Sequence, residues 1–326
     1  MGRQPLREAD SGGAAAAVET SPHYLRGVFL VMIAGAFWSL AGILIRNVDA
    51  ADGWQILFVR SCATFVTLLL IMIFRYGRQT PAQFRQAGLA AVLGGLSLSV
   101  AFTSFIFALL GTTVANALFI LSAAPLATAV LAWLVLRESV RRQTWIAIAV
   151  AMVGIAVMVI DSLGVGALFG NLMALLAVLG FAGFAVALRW GRAADMLPAA
   201  CLAGLFAALA SATLVPDFAI SLHDIVICSI MGVVQIGFGM VLFTAGSRHV
   251  PAAELALLSL TEVVLGPLWV WIGVGEIPRL LTVVGGAIVL AAIAGRALTG
   301  LRRKPPPVGS VGRTCARWRL GVPVHL

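Results

Sequence analysis

Residues 86–136 read QAGLAAVLGGLSLSVAFTSFIFALLGTTVANALFILSAAPLATAVLAWLVL, with no charge between Arg85 and Arg137. A bilayer core is crossed by about 20 apolar residues in a helix. The run is therefore too long for one crossing, and Leu110-Gly111-Thr112-Thr113 is the natural hairpin between two. Barrel strands would alternate in polarity, whereas this run is apolar on every face, so both crossings are helices.

Further apolar runs follow outward in both directions: Gly27–Ile45 and Trp54–Phe74 before the hairpin pair, with Arg60 inside the second. After it come Thr144–Ile160, Ala167–Leu188, Leu197–Val215, Ile225–Ser247, Ala252–Val274 and Leu280–Gly295. The expected fold is an all-α integral membrane protein of ten transmembrane helices. Composition agrees. Apolar side chains make up 61% of the chain and charged ones 11%, less than half the ~25% of an ordinary soluble domain. A mean hydropathy of +1.05 excludes a soluble enzyme, a nucleic-acid module and a disordered chain. Residues 1–24 lack the apolar core of a signal peptide and read as a disordered cytoplasmic arm. Cys62, Cys201 and Cys228 lie in apolar runs and Cys315 in a basic tail, none at metal-ligand spacing. No cofactor or metal is implied.

Basic residues set the orientation. With the N-terminus inside, 19 of the 22 fall in cytoplasmic segments, among them Arg75, Arg78, Arg137, Arg142, Arg192 and Arg302. Arg46 and Arg279 fall outside, and Arg60 lies within a span. The positive-inside rule then makes both termini cytoplasmic. Residues 300–326 form a basic cytoplasmic tail, read either as an anionic-lipid contact or as a solvated anchor.

The chain also matches itself at an offset of 138 residues. Gly94 falls on Gly232, Phe105 on Phe243, Trp133 on Trp271 and Glu138 on Glu276; the polar pairs Ser97/Gln235 and Asn116/Glu254 coincide too. Each half holds five spans, an odd number, so the second enters the membrane inverted. Residues 25–160 and 161–299 are then two inverted five-helix repeats, an architecture of alternating-access carriers with the solute site near the midplane.

The segment from Ala115-Asn116-Ala117-Leu118 through Pro125 to Trp133 and Arg137-Glu138 resembles the EamA-type drug/metabolite transporters. So does its second copy, from Ala253-Glu254 through Thr261-Glu262 and Pro267 to Gly275-Glu276, and Phe37-Trp38, Arg60, Gly154 and Gly285-Gly286 fit as well. One departure is visible: the family has Pro directly after the residue placed like Glu262, and this chain has Val263 there. The resemblance implies a ten-helix carrier of small metabolites, amino acids or amphiphilic drugs, commonly outward, in a plasma membrane. Arg outnumbers Lys 21 to 1, a bias suggesting a bacterium with a GC-rich genome and hence its inner membrane.

Candidate site residues are the polar groups inside spans. Glu262 stands ten residues into its run, about 15 Å down a helix. An ionisable group there is costly unless it is protonated or faces a wet cavity. It reads as a proton-coupling or cation-binding carboxylate, or as a protonated carboxyl bonded between helices. Glu254 lines the inner mouth of the same cavity or caps its helix after Pro251, and Thr261 shares its face. Asn116, Gln235 and Ser97 either converge with Glu254 on a central cavity or pack as interhelical polar contacts. Arg60, six residues below the outer end of its span, either snorkels or balances a substrate carboxylate. Trp38, with Phe37, Phe181 and Phe184, forms an aromatic wall or simple packing. Glu138 and Glu276 read as helix-end ion pairs beside Arg137 and Arg279.

The expected function is secondary-active transport of a small organic solute, possible without any nucleotide because no phosphate-binding loop is present and the sole Lys is Lys304. The expected partners are that solute and the bilayer, with proton coupling and no nucleic acid; either a monomer or a homodimer satisfies this pattern. A passive channel is the alternative. A membrane-embedded enzyme is disfavoured: no paired Asp, HExxH or His lies within a span.

Overall fold

The computed structural model describes residues 22–137, 142–163, 167–191, 197–247, 258 and 260–301. Glu254, Glu138, most of the N-terminal arm and the tail from residue 302 lie outside the described residues. Among those described, the chain is helical throughout and contains no strand. The first half holds α1 (Pro22–Ser39), α2 (Ala41–Arg46), α3 (Gly53–Tyr76), α4 (Thr80–Gly111), α5 (Val114–Leu121), α6 (Ala124–Leu136) and α7 (Arg142–Leu163). The second holds α8 (Leu168–Trp190), α9 (Leu197–Ala212), α10 (Leu222–Ile230), a π-helical segment (Met231–Phe238), α11 (Gly239–Ser247), α12 (Leu260–Val274) and α13 (Leu280–Leu301).

Among the described residues, five stretches are long and apolar enough to cross a membrane: Leu25–Arg46, Gly53–Gly111, Val114–Val135, Leu168–Leu188 and Leu222–Phe243. The second contains α3 and α4, separated by a single 3-10 turn at Gly77–Gln79. Shorter apolar helices cover Trp145–Val157, Leu197–Ala212, Thr261–Val274 and Leu280–Ala292. The hairpin expected at Leu110–Thr113 is present: α4 ends at Gly111, and the Thr113 hydroxyl caps α5 by accepting from Asn116 N at 3.2 Å. At the start of α3, Asp52 accepts from the amides of Trp54 and Gln55 while Gln55 accepts from Asp52 N, a reciprocal cap.

Two spans expected as continuous helices are broken. Between α1 and α2, the Ser39 hydroxyl donates to Ala36 O at 2.7 Å, and Leu40 N bonds Phe37 O, one residue closer than an α-helix requires. Hydroxyl back-bonding of this kind bends helices. Between α5 and α6, Ser122 does the same to Phe119 O at 2.6 Å, and Pro125 follows without an N–H to continue the ladder.

The two halves interleave. α4 packs on α8 and α9, α3 on α9 and the π segment, α1 on α11 and α12, and α7 on α13. Each of these pairs joins one half of the chain to the other. One buried cluster includes Leu57, Ile106, Leu118 and Met231; another includes Leu68, Met72, Leu98 and Met240. Both therefore draw on both halves. Where the end of α4 crosses the start of α8 the backbones touch, and a Cβ on Gly111 would stand 2.8 Å from Gly170 Cα. In lipid such close van der Waals packing, rather than hydrophobic exclusion, holds helices together. Large apolar side chains face outward all round, Phe29, Phe74, Leu134, Leu179 and Ile272 among them. On a water-soluble protein so much apolar surface would be an aggregation hazard.

Candidate functional site

Trp38, near the end of α1, anchors the largest grouping of the expected site residues. Gln235, in the π segment, donates from Nε2 to Trp38 O at 3.4 Å, and its Oε1 is buried without a hydrogen-bond partner among the described residues. Gly239 lies against the Trp38 indole, where any Cβ would collide with Nε1. Phe243 stacks on the same indole at 5.2 Å. One turn earlier, Gly35 meets the first turn of α12: a Cβ there would stand 3.3 Å from Thr261 Cβ and 3.6 Å from Glu262 N. Further along α12, Trp269 Nε1 donates to Ser39 Oγ at 2.9 Å, beside the break in α1. Helices of the second half thus bring Gln235 against Trp38, and Thr261 with the backbone of Glu262 against Gly35, along one stretch of α1. Glu262 is half-buried there.

The other candidates stand apart. Ser97 lies at the crossing of α4 and α8, where a Cβ on Gly183 would approach its hydroxyl to 2.9 Å. Asn116 is 1% exposed at the α4–α5 hairpin, with Nδ2 donating to Thr112 Oγ1 at 3.1 Å and to Asn171 Oδ1 on α8. Among the described residues no hydrogen bond joins Ser97, Asn116 and Gln235 to one another, and their repeat-mate Glu254 lies outside the description. The aromatic residues also divide: Phe181 pairs edge-on with Phe184 at 6.0 Å within α8, while Trp38 pairs with Phe243.

Arg60 does not snorkel. It is 1% exposed and points into the bundle, with Nη2 donating to Phe102 O at 3.3 Å and Cζ 5.1 Å from the Phe102 ring centroid. The aromatic face and carbonyl from α4 replace the water it would otherwise seek.

Sequence reasoning missed a tie between the two halves at Arg46. Arg46 Nε donates to Glu276 Oε2 at 2.8 Å, Nη1 to Leu109 O at 2.7 Å and Nη2 to Thr112 O at 3.0 Å. The second carboxylate oxygen of Glu276 accepts from Val114 N at 2.7 Å, capping α5. Glu276 thus serves an arginine from the opposite half of the chain and a helix N-terminus at once, a favourable place for a carboxylate. Arg46, Thr112, Asn116, Glu276 and Thr282 line a polar cavity of about 310 Å³ at this end. Asp224, also missed, accepts from the backbone amides of Asp49, Ala50 and Ala51 at 2.9, 3.1 and 3.0 Å. The available signal was the isolation of these acidic residues at span ends; their partners lie too far along the chain to be read from spacing.

The family model of the EamA-like transporters matches the chain twice, over residues 25–160 and 168–296. No curated protein matches it. A solved crystal structure matches with a TM-score of 0.59 at 17% identity, covering 86% of this chain and 100% of its own, which is a likeness of fold.

Proposed function

Because the chain belongs to the EamA-like transporter family, we propose that it is a secondary-active carrier that exports a small organic metabolite, amino acid or amphiphilic drug by alternating access across a bacterial inner membrane. The ten apolar helical stretches are ten crossings. They form inverted units at 25–160 and 161–299, with the arm 1–24 and the tail 300–326 both cytoplasmic. Support comes from the loop arginines and from the interleaving of the halves, since a rocking of one set of helices on the other would open one end as it closes the other.

The observation that carries this reading is the gathering of Trp38, Gln235, Thr261 and Glu262 around the bend of α1. A broken membrane helix beside an amide, with the helix that carries Glu262 packed one turn away, supplies hydrogen-bonding capacity that closed helices withhold from a solute. In the conformation described, the Arg46–Glu276 pair ties the outer ends of the two halves together. With side chains 25% and 21% exposed, a pair of this kind is worth on the order of 1 kcal/mol. That is enough to bias a two-state equilibrium and little enough to be broken in each cycle.

Glu262 is assigned the coupling role, taking up a proton in one conformation and releasing it in the other. The test is reconstitution of the purified chain in liposomes, with counterflow and gradient-driven uptake of pooled amino acids, nucleosides and cationic dyes measured with and without a pH gradient. Wild type should show both activities. Glu262→Gln, which keeps shape but cannot ionise, should keep counterflow and lose accumulation. Accumulation by the variant equal to wild type would remove Glu262 from coupling, and saturation-free flux without counterflow would make the protein a passive facilitator.

A further inference from the structure

Arg60 is enclosed on all sides, yet Nε and Nη1 have no hydrogen-bond partner among the described residues. Those two nitrogens carry three of the five N–H bonds of a guanidinium. The contact that Nη2 makes, to Phe102 O, is long at 3.3 Å. No described carboxylate lies within ion-pair distance; the titratable side chain that interacts with the guanidinium is Cys228, a thiol on α10. The next residue along α3, Ser61, has a buried hydroxyl that also lacks a partner among the described residues. A buried cation with its donors unmatched is among the most unfavourable arrangements a membrane protein can hold.

The wall next to it is irregular. The π segment Met231–Phe238 crosses α3 at this turn, with Gly232 so close to Arg60 O that a Cβ would collide. Thr64 Oγ1 lies 2.9 Å from Arg60 O and 3.3 Å from Gly232 O, pinning the crossing. The repeat-mate of that segment, residues 93–100, is ordinary α-helix within α4. π-helical turns are rare and recur at functional sites, and here one appears in the copy that touches the Arg60 backbone, while the guanidinium lies on Phe102 of α4.

We propose that Arg60 receives the carboxylate of the transported solute, so that the substrates are amino acids or other small monocarboxylates. The planar fork of unmatched N–H groups fits a carboxylate. A dianion such as a phosphate ester calls for more positive charge than one arginine. The chain's sole lysine, Lys304, is in the tail. This inference rests on the carrier reading above and narrows its substrate class.

The test uses the full-length purified protein in liposomes. Counterflow is measured for labelled amino acids and short monocarboxylates, each against its carboxamide. Wild type should exchange the acid and discriminate against the amide by on the order of a hundredfold, the loss expected when a charge-assisted hydrogen bond becomes a neutral one. Arg60→Gln should abolish that preference, and Arg60→Lys should keep part of it, with both variants monodisperse in detergent. Equal exchange of acid and amide by wild type overturns the proposal whatever the variants do and leaves the carrier reading standing. So does an acid preference that survives in Arg60→Gln. Exchange of no solute at all overturns the carrier reading, and this one with it.

Discussion

Arg46 and Arg60 stand one on each side of the turn between α2 and α3, and they are bonded in opposite ways. Arg46 spends all three guanidinium nitrogens on Glu276 and two carbonyls at the α4–α5 hairpin. Arg60 makes one long bond, although it is the more deeply buried of the two. The same side chain is a fastening in one place and an open set of donors in the other. Burial therefore says little about what an intramembrane arginine does; the accounting of its donors says more.

The contrast makes stability predictions of different size. Arg46→Ala should be the most damaging: it strands a carboxylate and two carbonyls and should cost about 2–3 kcal/mol, since removing one partner of a partly buried pair costs more than the pair is worth. Equilibrium unfolding in detergent would show it, and a double-mutant cycle with Glu276→Gln should return a coupling of about 1 kcal/mol. If the cycle returns zero, the tie is ornamental. Next comes the wall beside Arg60. Gly232→Ala would force a Cβ against Arg60 O and should cost about 1–3 kcal/mol by overpacking. Its repeat-mate Gly94→Ala, whose Cβ would stand 3.3 Å from Ala187 Cβ, should cost less than about 1 kcal/mol. Similar losses at both sites would mean that the π segment is no tighter than its regular counterpart.

Arg46→Lys keeps the charge but loses the fork and should cost about 1 kcal/mol. The smallest effect belongs to Arg60→Met. Exchanging an unmatched buried cation for an apolar chain of similar volume should leave the ligand-free protein unchanged or slightly more stable. A loss as large as that of Arg46→Ala would show that Arg60 is bonded as fully as its neighbour, and the contrast would collapse.

What was legible in the sequence follows from which forces act locally. Spans declare themselves because each residue meets lipid wherever its neighbours go: the run read as Trp54–Phe74 is helix Gly53–Tyr76, and Ala167–Leu188 is Leu168–Trp190. The duplication is equally plain, because a gapless offset needs no tertiary knowledge. Breaks are less visible. Pro125 could be seen, but the interruption at Ser122 depends on a hydroxyl turning back onto its own helix. The π segment was invisible, since nothing in Met231–Phe238 forbids an ordinary helix and its form accompanies close packing against α3. Of the site, the grouping of Trp38, Gln235, Thr261 and Glu262 was half-readable. Each is polar or aromatic inside a span, but only the crossing of α1 with α12 and the π segment says which of them meet. Arg60 could be counted but not oriented: depth along a helix cannot tell a side chain reaching for water from one folded under an aromatic ring.

The long-range partners of Arg46 and of the α2–α3 turn also impose a schedule on biogenesis. Asp224, which holds the amides of residues 49–51, is made 175 residues after Asp49, and Glu276 follows Arg46 by 230. At roughly 5–20 residues per second of translation, this turn leaves the ribosome about 10–50 s before those two carboxylates exist. During that interval water serves the three amides, and Arg46 has only the carbonyls of Leu109 and Thr112 to bond. Ribosome stalling between residues 111 and 224 should therefore leave a first half whose α2–α3 turn is open to protease, and completion of the chain should close it.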